Sequence, residues 1–168
     1  MSWSETALQC LKRDEIQTVV HVPDNVLAPL IRMAEADDFF DVLSPTREEE
    51  GVGIVCGAYV GGRRGIVMMQ NSGLGNAANA LASLALPYQV PFLMLVSQRG
   101  ELGEFNAAQV GMGQASRPLL DGLGIQHFTL ERDDEVERVF TGAAKLSYAA
   151  DRPVAIILSP LLTGGKKA

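Results

Sequence analysis

The chain has 168 residues, a net charge of −6 and 47% hydrophobic content, enough for one domain with a real core. The acidic balance argues against nucleic acid as a partner, because phosphate binding needs a basic face; the Lys166–Lys167 pair is too short to change that. No apolar run approaches the roughly 18 residues of a membrane span, and MSWSETALQCLKRDE lacks the apolar stretch of a secretory signal. These features predict a cytoplasmic protein with no membrane association, in which Cys10 and Cys56 are reduced thiols without metal-type spacing. With 17 Gly and 6% aromatic residues, tight turns and close packing are expected rather than disorder.

Helical and strand-like segments alternate. Residues 4–14 read as a helix and Gln17 to Val22 as a short β-branched strand. After Pro23-Asp24-Asn25, residues 25–36 place Val26, Leu27, Leu30, Ile31 and Ala34 at helical period. Phe39 to Leu43 is a second strand. Ser44-Pro45-Thr46 breaks it and starts a helix that Gly61-Gly62 ends. Gly65 to Gln70 is a third strand, 75–87 a helix, and Pro91 to Ser97 a fourth strand. Gln98 to Ser116 reads as a long Gly-containing loop. A short helix at 117–123, a strand at 125–130, a helix at 133–149 and a strand at 153–158 follow. The implied fold is α/β: three layers, α/β/α, around a six-stranded parallel sheet, with residues 1–168 as a single domain. The apolar runs VVHV, IVMM, FLMLV and VAIIL suit strands buried on both faces.

Ligands collect at the carboxyl ends of such strands, and four informative segments fall there: HVPDN (21–25), PTREEE (45–50), QNSGLGN (70–76) and SQRGE (97–101). In the second, Thr46 as N-cap and Glu49 three residues on would form a capping box. The next ten residues, GVGIVCGAYV, carry no charge on any face, so their helix is expected to be buried all round. Its first turn then brings carboxylates to the edge of a buried region, where each needs a partner. Periodicity does not choose between Glu48 and Glu50. QNSGLGN reads as a Gly-rich turn, either a plain cap or an anion-binding edge; it is neither a P-loop nor a dinucleotide fingerprint.

At this order and spacing the segments resemble the pyrimidine-binding domain of thiamine-diphosphate enzymes, and more closely the sulfopyruvate and phosphonopyruvate decarboxylases. TREEEGVGIVCGAYVGG followed by IVMMQNSGLGNAANAL carries most of the likeness, with HVPDN, SQRGE and AAQVGMGQASRPLLDGLGI. In that family an activating Glu lies about nine residues before the Gly of a small Gly-small/Tyr element. Counting back from Gly57 selects Glu48. The resemblance implies that Glu48 hydrogen-bonds the pyrimidine ring of thiamine diphosphate, that Gln70, Asn71, Ser72 and Gly73 line the cofactor, and that Asp24, Asn25 and Arg99 face the substrate. Asn25 has the alternative of a helix cap, and Arg99 that of a surface ion pair. One departure from the family is Gln98, where relatives often carry an aromatic residue before the Arg.

The GDG element and paired Asn that hold the diphosphate and Mg²⁺ in this superfamily do not occur. The resemblance therefore implies the alpha half of a hetero-oligomer, and the apolar 51–60 helix with the 75–87 helix predicts self-association of the isolated chain. A beta subunit carrying the diphosphate-binding domain would hold Mg²⁺, and the substrate would be a small anionic 2-oxo acid. This chain itself has no metal site. Phosphonopyruvate decarboxylation, another thiamine-dependent C–C lyase, and a non-catalytic flavodoxin-like binding module stand as alternatives. His21 precedes the turn and has the alternative of facing the site, but in an apolar strand it is expected to be a satisfied core residue; His127 has no assigned role.

Overall fold

The computed structural model describes residues 1–165; Lys166 and Lys167 lie outside them. The elements run α1 (Trp3–Arg13), β1 (Ile16–His21), α2 (Ala28–Glu35), β2 (Asp41–Leu43), α3 (Glu48–Val60), β3 (Arg64–Gln70) and α4 (Asn71–Ala80), which continues into a π turn at Leu81–Ala85. Next come β4 (Leu93–Ser97), α5 (Ala107–Gly122), β5 (His127–Leu130), a 3₁₀ turn (Asp133–Glu135), α6 (Val136–Ala150), β6 (Val154–Leu158) and α7 (Pro160–Thr163).

The six strands are all parallel, in the order β2-β1-β3-β4-β6-β5. On one face α1, α2 and α6 bring Leu11, Leu30 and Phe140 against Val19, Met68 and Leu95. On the other, α3, α4 and α5 bring Val52, Leu74 and Leu120 against Val20, Val67 and Met94. β4 and β6 are buried at every position, which explains their unbroken apolar sequence. The strand order changes direction between β1 and β3, so a crevice opens beyond their carboxyl ends, at Val22–Asn25 and Gln70. Cys10 and Cys56 are free thiols, buried in different cores.

Three local expectations are corrected. The stretch read as a loop to Ser116 is helical from Ala107 onward. Its two interior glycines hide this part of the helix in the sequence, but Asn106 caps it, accepting from the Ala108 N–H at 3.1 Å. Gly113 is there for contact: a side chain on it would fall 2.6 Å from the Arg99 carbonyl. Second, QNSGLGN is not a turn, because Gln70 ends β3 and α4 begins at once with Asn71. Third, α3 is not buried all round. It buries Gly51, Val52, Val55 and Cys56 but exposes Glu50, Gly53, Gly57 and Val60 along one stripe, with Val60 82% exposed.

Candidate active site

The crevice is built from the first residues of three helices. α3 enters with Arg47 at the N-cap, in extended backbone and without a side-chain cap. The expected Thr46–Glu49 capping box does not form. Instead the Thr46 N–H donates to Glu50 Oε2 at 3.0 Å, and Glu49 is released from capping. Its Oε1 pairs with Arg47 Nε at 2.6 Å. Its Oε2 is buried and has no hydrogen-bond partner among the described residues. A buried carboxylate oxygen without a donor is costly, so this atom is a candidate contact for a ligand.

Glu48, the first residue of α3, turns toward α4. Its Oε2 accepts from Asn76 Nδ2 at 3.0 Å. Its carboxylate and Cγ occupy the space where a side chain on Gly73 would stand. This contact accounts for a glycine inside the first turn of a helix, where glycine otherwise weakens the backbone. α4 itself starts uncapped: the side chain of Gln70, its N-cap residue, accepts from no first-turn N–H group. Gln70 Nε2 donates instead to Ser72 Oγ at 2.7 Å and to Gln109 Oε1 at 3.2 Å. Gln109, on the first turn of α5, has no counterpart in the sequence reading. The hydrogen bond to Gln70 is what reveals it, and the misread loop is what concealed it.

Asn71 is wholly buried, and its Oδ1 has no hydrogen-bond partner among the described residues. Its Nδ2 donates to the Arg99 carbonyl and to Ser116 Oγ, both at 3.1 Å. Gln98 Nε2 donates to the same Arg99 carbonyl and to that of Gly113, again at 3.1 Å. The loop after β4 is thus pinned to α5, and Glu101 pairs with Arg117. Asp24 Oδ1 accepts from the Val26 and Leu27 N–H groups at 2.9 and 3.1 Å, which caps the entry to α2. Asn25 is exposed.

Arg99 is 5% exposed and engaged from within the chain. Its Nε and Nη2 donate to Glu104 Oε2 and Oε1 at 2.7 and 2.6 Å, a bidentate pair with both side chains 6% exposed. The Glu104 carboxylate also accepts from the Gly100 and Asn106 N–H groups at 3.0 and 2.9 Å. Hydrogen bonding from Arg99 and then from the Gly100 N–H holds the Glu104 carboxyl down at about 2. The Asp24 carboxylate acts on Arg99 at longer range, after Glu104.

His21 lies at the end of β1, 5% exposed, and neither ring nitrogen has a hydrogen-bond partner among the described residues. It is buried as expected but not satisfied. Burial lowers its pKa, and Glu35, at 3.9 Å, opposes that. His127 Nε2 stands 3.1 Å from Asp121 Oδ1, away from the crevice near the amino end of β5. Among the described residues no group of three His, Cys, Asp or Glu side chains converges as a metal site, and no helix is long and apolar enough to cross a membrane.

Residues 1–117 match the family described as thiamine pyrophosphate enzyme, N-terminal TPP binding domain. The chain is 38% identical over 161 residues to the sulfopyruvate decarboxylase subunit alpha of Methanococcus maripaludis, covering 96% of each chain. It is also 38% identical over 107 residues to the phosphonopyruvate decarboxylase of Streptomyces viridochromogenes, covering 63% of this chain and 27% of that one. Its fold is shared by the 2-oxoglutarate:ferredoxin oxidoreductase of Magnetococcus marinus, with a TM-score of 0.73 at 13% identity over 97% of this chain and 30% of that one. The match over most of its length, on a domain whose crevice gathers the first turns of α3, α4 and α5, makes this chain a member of the thiamine pyrophosphate enzyme family, in the branch of the sulfopyruvate decarboxylase alpha subunits.

Proposed function

We propose that this chain is the alpha half of a thiamine-diphosphate-dependent decarboxylase that converts 3-sulfopyruvate to sulfoacetaldehyde and CO₂ together with a beta subunit. The observation that carries the reading is the unpartnered, buried Oε2 of Glu49 at the start of α3. Side chains alone do not provide the carbanion equivalent that 2-oxo acid decarboxylation needs; thiamine diphosphate supplies it when bound. The residues of the crevice suit its pyrimidine end. One carboxylate of α3 holds the proton shared with the pyrimidine ring nitrogen. Spacing in the sequence names Glu48. The orphan oxygen favours its neighbour Glu49, with Glu48 braced by Asn76 and Gly73 beside it.

The diphosphate and its Mg²⁺ fall to the beta subunit in this reading, which rests on the lack of a GDG element and paired Asn in the sequence. The exposed stripe of Gly53, Gly57 and Val60 on α3 runs back from the carboxylates. It is uncharged and made of small residues, suited to close packing by that partner.

The reading is tested by co-expression with a partner chain bearing the GDG and Asn-Asn elements, followed by decarboxylation assays on a panel of 2-oxo acids. Sulfopyruvate turnover by the pair and not by either chain alone is the expected result. Turnover by the isolated alpha chain, or none by the pair, contradicts it. Thiamine diphosphate should bind the isolated alpha chain weakly, since the metal-borne diphosphate contacts are missing.

A further inference from the structure

Resting on the reading above, we infer that Asn71 is a positioning residue for the reaction: it sets the angle at which α4 leaves the sheet, and so holds Gly73 and Asn76 where Glu48, and Glu49 beside it, need them.

α4 follows β3 without a loop, since Gln70 ends the strand and Asn71 opens the helix. The direction of the helix is therefore decided at Asn71. Two side chains of α4 hydrogen-bond across to other helices. Asn71 Nδ2 donates to Ser116 Oγ of α5 and to the Arg99 carbonyl in the loop after β4, both at 3.1 Å. Asn76 Nδ2 donates to Glu48 Oε2 of α3 at 3.0 Å. Asn71 and Asn76 are the two ends of one strut, with Gly73, the seat of Glu48, between them. Five residues of helix span about 7.5 Å, so a small change of angle at Asn71 becomes a displacement at Asn76.

Stability does not account for an asparagine here. Asn71 is wholly buried and its Oδ1 has no hydrogen-bond partner among the described residues, which is a standing cost. Turning the amide over does not relieve it, because Oδ1 would then face the Arg99 carbonyl, another acceptor. Neither partner depends on Asn71. The Arg99 carbonyl also accepts from Gln98 Nε2, and the Ser116 hydroxyl donates to the Met112 carbonyl. A small apolar residue would remove the orphan oxygen and leave neither partner unpaired. It would not tie the start of α4 to two elements at once. Local rules are broken in this way where function needs the geometry.

The anchor is itself rigid. Gly100 and Gly113 pack so closely that a side chain on either would overlap the backbone of the other, which locks the loop after β4 against α5. Asn71 refers the α4 start to that fixed pair. A misplacement on the order of 1 Å at reacting groups can cost about 10² in rate, so an anchor that adds little stability still matters to turnover.

The test uses the two-chain holoenzyme with thiamine diphosphate and Mg²⁺, assayed on sulfopyruvate. Asn71→Ala should lower kcat by about tenfold or more and leave KM within about twofold, because the α3 carboxylates act on the bound cofactor and not on substrate affinity. Its melting temperature should stay within about 4 °C of the wild type. Ser116→Ala, which removes one acceptor of Asn71 and a single atom, should give a smaller fall of the same kind. Asn71→Ala combined with Asn76→Ala should lose less than the product of the two single losses, by about threefold or more, since both act through one strut. An unchanged kcat in Asn71→Ala overturns the inference, as do single losses that simply multiply, or a loss that follows the fraction of unfolded enzyme. If Asn71→Ala does not fold, an unchanged kcat in Ser116→Ala overturns it equally. Each of these leaves the decarboxylase reading standing, whereas a wild-type pair that turns over no sulfopyruvate removes both.

Discussion

Glu48 lies across Gly73, its carboxylate and Cγ filling the space a side chain there would need, while its Oε2 accepts from Asn76 Nδ2 at 3.0 Å. The starts of α3 and α4 are locked together by a contact that only glycine permits. Gly73→Ala should therefore push Glu48 out of place and destabilise the chain by about 1–3 kcal/mol, the usual cost of overpacking. Urea unfolding measures this. A variant as stable as the wild type would mean that Glu48 swings away without strain and that the brace is weak.

Arg99 is expected to act through the loop and not through the substrate. Arg99→Ala leaves the Glu104 carboxylate, 6% exposed, without its main partner, so it should lower the melting temperature more than Glu104→Gln does. It should also raise amide exchange at Gly100 and Asn106, whose N–H groups bond Glu104. Because the Glu104 carboxyl is held down at about 2, the stability it contributes is present above the ordinary value of 4.5 and is lost as pH falls toward 2. Glu104→Gln should flatten that part of the acid limb. A change in sulfopyruvate KM with melting and exchange unaltered would return Arg99 to the substrate.

His21 should set the first part of the acid limb. Burial lowers its pKa below the ordinary 6.5, so the unfolded chain takes up a proton before the folded chain does. Stability is unaffected above 6.5 and declines as pH falls below it, until the folded His21 also protonates. His21→Leu should remove the decline in that window when unfolding free energy is followed against pH. An unchanged profile would show that Glu35 offsets the burial.

The fold was legible because its signals are redundant. Apolar runs such as VAIIL, breakers such as Ser44-Pro45 and alternating periods each imply the same parallel sheet. The site was legible only to the level of segments. Which of Glu48, Glu49 and Glu50 caps the helix depends on where α3 starts, and the N-cap is Arg47 rather than Thr46, a one-residue shift that reassigns all three carboxylates. Gln109 was hidden because Gly111 and Gly113 make residues 107–116 read as a loop, whereas Gly113 serves close packing against Gly100. Arg99 has the polar chemistry of a ligand contact, and only its partner in space reveals the bidentate pair with Glu104.

The partner surface is open to a test that separates assembly from folding. A side chain added at Gly53 or Gly57 meets nothing within 4 Å in this chain. Gly57→Lys should leave the isolated alpha chain folded, and more stable by up to about 1 kcal/mol, since glycine weakens a helix interior. The same change should abolish or sharply weaken co-purification with the beta subunit. Normal assembly of the variant would move the interface away from α3.

The central claim is that a carboxylate at the start of α3 activates the cofactor, and single Gln substitutions in the reconstituted two-chain enzyme test it most directly. Gln keeps the size and most of the polarity, so assembly should persist, but an amide does not hold and exchange the proton. Glu49→Gln should lower kcat by about 10² or more, the scale of a general acid–base contribution. Glu50→Gln should cost little, because its role is to accept from the Thr46 N–H, which an amide oxygen also does. Glu48→Gln should fall between them if Glu48 only braces its neighbour. A dead Glu48→Gln beside an active Glu49→Gln would favour the family spacing over the orphan oxygen and keep the claim. Full activity in all three variants would contradict it.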